Sequence, residues 1–172
     1  MRRAFTLLEV VAVSVILAIL AVSVIPAFGS VESARRTAAA DEIARLMRVI
    51  RAHTMATGDA AGITIDGDTL TPIRIDDTGV ATEPIPGPLG ENRPSLDIAA
   101  RFPGVEITDI TLGDGSTADG TIWFGYDGTP RLRDANLDDT GPATEDTVIV
   151  VTGGERVRFR RLSGSIITED AP

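Results

Sequence analysis

The sequence predicts an α+β protein, a long N-terminal helix packed on a mainly antiparallel β-sheet domain. Three observations predict it. An uncharged apolar run fills Val10 to Val31, an amphipathic helical pattern follows from Glu32 to about Thr57, and past Gly58 the chain breaks into short alternating runs separated by turn residues. Strands packed on one helix give an α+β layer arrangement. The length of 172 residues suits one ordinary domain plus an attached segment.

The apolar run comes first. As a helix rising about 1.5 Å per residue it reaches roughly 33 Å, enough for a hydrocarbon core of about 30 Å. It is too long for the apolar part of a cleaved secretory signal, which spans about 7–15 residues. One carboxylate, Glu9, stands at its start. Carried to the centre of a bilayer such a group costs on the order of 2–3 kcal/mol, so it either stays among the headgroups or has a cationic partner. Pro26 lacks an N–H and crowds the carbonyl of Val22, so the sequence predicts a kink or loosening there.

Phe5-Thr6-Leu7-Leu8-Glu9-Val10, with the apolar run behind it, resembles the type IV prepilin N-terminus shared by pilins and type II secretion pseudopilins. The resemblance implies a pilin-like fold with residues 1–4 as a basic leader, 5–31 as a transmembrane and assembly helix, 32–57 as its amphipathic continuation, and 58–172 as a β-rich periplasmic domain. It implies cleavage between Ala4 and Phe5 by prepilin peptidase, and N-methylation of Phe5. Ala4 stands where the family usually has glycine. The resemblance further implies that Glu9 pairs with the terminal amine of a neighbouring subunit, and that Pro26 is the helix-breaking proline of the mature chain. The expected place is the inner membrane, single-pass, in contact with its lipid and with other pilin or pseudopilin subunits. Arg2-Arg3-Ala4-Phe5 followed by Leu7 also fits a twin-arginine export signal, against which Glu9 and the length of the apolar run stand.

In the amphipathic half, Ala39, Ile43, Leu46, Ile50 and His53 share one face at spacings of three and four. Arg35, Arg36, Glu42, Arg45 and Arg48 occupy the rest. Gly58 is placed to stop the helix. His53 is expected at the edge of the apolar stripe, with no second histidine or cysteine to make a triad or a metal set.

Strands are expected at about Gly62–Asp66, Leu70–Asp76, Val105–Leu112, Thr121–Tyr126, Thr147–Thr152, Glu155–Leu162 and Ser165–Thr168. Turn signals separate them at Asp66-Gly67-Asp68, Asp127-Gly128, Gly153-Gly154 and Ser163-Gly164. Glu83–Ser95, rich in proline, reads as a loop. The segment Gly120–Thr129, with Thr147–Thr152 and Val157–Thr168 behind it, is similar to the C-terminal half of H-type pseudopilins and FimT-like minor pilins, and Gly164 matches their late glycine. This implies a minor pseudopilin of type II secretion, or a type IV minor pilin that takes up DNA.

Two constellations could carry chemistry. Asp134, Asn136, Asp138 and Glu145 follow the EF-hand spacing of oxygen ligands for calcium. Asp139 stands where that loop has glycine, and a solvated acidic loop explains the same residues. Arg156, Arg158 and Arg160 alternate with Val157 and Phe159, so a strand would put three guanidiniums on one face. That face is either a phosphate-tracking stripe for DNA or a wet surface paired with acids, as the net charge of −9 favours. Without cysteine, and with one histidine, no nucleophile–base arrangement is legible. The sequence therefore predicts a structural subunit that is not an enzyme and has no cofactor besides the calcium just considered.

Overall fold

A computed structural model of the chain describes residues 7–75, 79, 83–85, 92–117 and 119–170, with the side chains of 21–28 and 83–84 excepted. Residues 1–6, Ala4 and Phe5 among them, lie outside the described residues, as does the Pro26 side chain. Helix α1 spans Leu7–Thr57. The chain divides into two compact units, Met1–Ala34 and Arg35–Pro172.

In the first unit α1 is helical throughout, including at position 26. Leu7, Leu8, Val10, Val11, Val13 and Val15 are all more than half exposed or close to it, and Ile16, Leu17, Ile19 and Leu20 continue the series. Apolar side chains exposed around every face of a helix mark one that a single chain does not cover. Among the described residues no helix is long and apolar enough to cross a membrane. The side chains of 21–28, inside the uncharged run, are not among the described ones.

In the second unit the helical stripe is buried as its spacing requires. Ala39, Ala40, Ile43, Ala44, Met47 and Ile50 are almost fully buried in the core. Thr54 continues the stripe, its hydroxyl donating to the Ile50 carbonyl at 3.2 Å. Gly58 ends the helix at φ +79°, its N–H donating to Thr54 O at 2.8 Å; a left-handed residue after the last turn is a glycine position.

The strands are β1 (Ala61–Asp66), β2 (Thr69–Arg74), β3 (Glu83–Pro84), β4 (Leu96–Asp97), β5 (Ile107–Thr111), β6 (Gly120–Phe124), β7 (Pro130–Arg133), β8 (Asp139–Pro142), β9 (Thr147–Val151), β10 (Arg156–Phe159) and β11 (Ile166–Glu169). A four-residue helix α2 (Ile98–Arg101) is capped by Asp97, which accepts from the Ala100 N–H at 2.9 Å. The strands form two antiparallel sheets where the sequence suggested one. The larger runs β3-β2-β1-β6-β7-β8 with β4 also on β2, and the smaller runs β11-β10-β9-β5. All seven expected strands are present, with ends shifted by up to three residues; Asp76 lies outside the described residues.

Two expectations need correction. The proline-rich stretch is not all loop: Glu83–Pro84 pairs with β2, Ile85 is completely buried, and Arg93 N–H donates to Ile85 O at 3.0 Å. Backbone pairing at a sheet edge tolerates proline because the missing N–H faces outward. The second half of the acidic segment is also a strand. β8 pairs with β7, tied by Arg131 to Asp139 at 2.9 Å. Its exposed, apolar-poor sequence carries no alternation to announce it.

Candidate functional site

Glu9 lies in the first turn of α1, exposed among exposed apolar neighbours. A carboxylate near a helix N-terminus is favoured by the unpaired N–H groups there. Ser14 turns its hydroxyl back to Val10 O at 2.8 Å, so the polar atom is satisfied within the helix.

The arginine strand behaves as period two demands. Val157 and Phe159 are buried, while Arg156 and Arg158 face the other way and Arg160, just past β10, is exposed. Arg158 is engaged by two carboxylates, Glu169 across the β10–β11 pair at 3.2 Å and Asp146 at 3.5 Å. The Glu169 hydrogen bond, against a smaller pull from burial, holds the guanidinium above its ordinary pKa. Its charge is thus compensated within the domain.

The acidic segment is organised for turn formation. Asp134 Oδ1 accepts from the N–H groups of Asn136 and Asp138, at 2.8 and 3.0 Å. Glu145 sits elsewhere, its N–H on Gly113 O and its carboxylate 3.4 Å from where a Cβ on Gly115 would lie. Asp134, Asp138 and Glu145 do not converge, and among the described residues no group of three such side chains is placed to hold a metal ion.

His53 is half-buried beside the stripe, and its Nε2 is buried with no hydrogen-bond partner among the described residues. Burial pushes the imidazole below its ordinary pKa; Asp59 pushes back, and Arg74 and Arg93 add to the fall. Because the folded state binds this proton less readily, its contribution to stability is complete above the unfolded value of about 6.5 and is lost as pH falls through the folded pKa. The thermal midpoint is therefore expected to drop between pH 7.5 and 5, and His53→Gln is expected to flatten that slope. An unchanged slope in the variant would assign the effect to other groups.

What the sequence did not show is how α1 is fastened to the sheets. Arg48 Nη2 donates to Ile166 O at 3.2 Å, and Arg51 Nε to Gly128 O at 2.8 Å. Arg36 lies against Gly153, where a Cβ would come within 2.6 Å of its Cδ. Gly128 (φ +77°) and Gly164 (φ +61°) meet back to back, so a Cβ on Gly164 would run into the Gly128 carbonyl. Three arginines expected on the outer face or left unplaced thus reach two turns and a strand, on both sheets. The turn glycines were legible, but the close approach that requires them was not.

No protein-family pattern matches the chain, and no curated protein does. Among solved structures the fold is a pilin-like one, a long helix with antiparallel sheets. It is similar to the crystal structure of the minor pseudopilin EPSH from the type II secretion system of Vibrio cholerae, with a TM-score of 0.58 at 12% identity, covering 80% of this chain and 95% of that one. A second structure of the Vibrio cholerae minor pseudopilin EpsH matches with a TM-score of 0.52 at 14% identity, covering 79% and 96%. At these identities the likeness is one of fold.

Proposed function

We propose that the chain is a structural minor pseudopilin of a type II protein secretion system, without catalytic activity. The observation that carries this reading is the fold shared with EpsH over 80% of the chain, joined to the prepilin-like Phe5–Val10 motif at its start. In this reading prepilin peptidase cuts after Ala4 on the cytoplasmic side, Phe5 is methylated, and the helix stays in the inner membrane until it enters a filament. The exposed apolar side chains of the first unit support that role, since lipid or neighbouring helices would cover them. Glu9 then neutralises the new terminal ammonium of the next subunit.

The DNA-uptake alternative is less favoured, because Arg158 in the middle of the stripe is already paired with Glu169 and Asp146. The experiment is mass spectrometry of the protein recovered from cells, together with pull-down of assembled filaments. The expected mature chain begins at N-methylated Phe5, and Glu9→Ala leaves processing intact while the subunit disappears from the filament. A chain that still begins at Met1, or normal incorporation of the variant, would overturn the proposal.

A further inference from the structure

The larger sheet is forked. β6 pairs with β1 along its whole length, but with β7 only at Trp123 and Phe124. β7 stays paired with β8 as far as Arg133, with a register shift between Leu132 and Arg133. Beyond the Trp123–Arg131 pair the two strands therefore part, leaving Gly120–Ile122 on one arm and Leu132–Arg133 on the other. A cleft of about 430 Å³ lies in the fork, lined by Thr121, Ile122, Trp123, Leu132 and Arg133. That volume falls within the usual range of ligand clefts, about 300–1,000 Å³.

The direction of the main-chain groups follows from the closed end. Gly125 N–H donates to Thr129 O, so the odd-numbered residues of β6 turn their N–H and C=O groups away from β1. Thr121 is the odd residue inside the fork, and among the described residues no strand pairs with it on that side. Arg133, two residues past the paired Arg131, presents its main chain from the opposite arm in the same way. The Arg133 Nε is also buried without a hydrogen-bond partner, while its guanidinium stacks over Trp123 at 5.5 Å. Strand addition satisfies ladder groups of this kind.

Charge selects the occupant. Asp114, Asp119 and Asp134 line the cleft and are exposed; of the two arginines that also line it, Arg131 is engaged by Asp139 and Arg133 lies over Trp123, so the carboxylates outnumber the cations. We propose that the fork accepts an extended segment of a partner protein as an added strand on β6, with a lysine or arginine side chain directed to these carboxylates.

Trp123 is the only tryptophan in the chain and lines the cleft, so its emission reports occupancy directly. The test titrates the full chain in detergent micelles with the end-capped pentapeptide Thr-Val-Arg-Val-Thr, and with its counterpart carrying glutamate in place of arginine. The arginine peptide is expected to change the emission saturably and to slow amide hydrogen exchange at Thr121. The glutamate peptide is expected to bind about tenfold more weakly. Asp114→Asn with Asp134→Asn keeps the turn-capping oxygens and is expected to shrink that difference severalfold without moving the unfolding midpoint. Equal binding of the two peptides, no change in emission at millimolar concentration, or unaltered Thr121 exchange would each overturn the proposal.

Discussion

Gly164→Ala is expected to destabilise the sheet domain by about 2–5 kcal/mol, from about 1–2 kcal/mol of left-handed backbone strain and a further 1–3 of overpacking. The backbone there has φ +61°, and the added methyl meets the Gly128 carbonyl, with Arg51 Nη2 at 3.2 Å behind it. Neither neighbour yields cheaply. Gly128 has its own left-handed conformation, and its carbonyl already accepts from Arg51 Nε. Gly67→Ala is the control: φ is +53°, but nothing lies within 4 Å of the new Cβ. It is expected to show the backbone part alone, about 1–2 kcal/mol. Urea denaturation of both variants measures the difference. Equal losses would mean that the β6–β7 and β10–β11 turns separate without penalty.

Phe124→Ala is expected to cost about 3–5 kcal/mol, the range for emptying a large buried aromatic site. Phe124 on β6 is completely buried, and its ring centroid is 5.0 Å from that of Phe159 on β10 at 32° between planes. The pair bridges the two sheets, so the loss falls on their joint and not on one ladder. Phe124→Leu keeps most of the volume and is expected to cost less than about 1.5 kcal/mol. The double variant Phe124→Ala, Phe159→Ala should cost less than the sum of the two singles, because the rings share one contact. Strict additivity would show that they act independently.

Much of this architecture was legible, and the reasons differ from element to element. The stripe Ala39–Ile50 and the stop at Gly58 were readable because helical spacing and a left-handed terminus are local facts. The Val157–Phe159 face was readable because strand alternation is equally local. β7 and β8 were not, since Pro130–Arg133 and Asp139–Pro142 are held by main-chain pairing and one ion pair, with little apolar pattern. The roles of Arg36, Arg48 and Arg51 were hidden for another reason. A guanidinium on a long apolar stem reaches water or a carbonyl equally well, and only the fold decides which carbonyl is within range. The β6–β7 fork depends on where a register ends, which no single residue encodes.

The arginine fastenings have a mechanical consequence. Arg36, Arg48 and Arg51 are spread over roughly 22 Å of helix at about 1.5 Å per residue, and they grip the turn at Gly153, the strand at Ile166 and the turn at Gly128. A tug along the axis of α1 therefore loads three attachments together, on both sheets, instead of peeling them one after another. Shear shared in this way resists rupture better than a zipper.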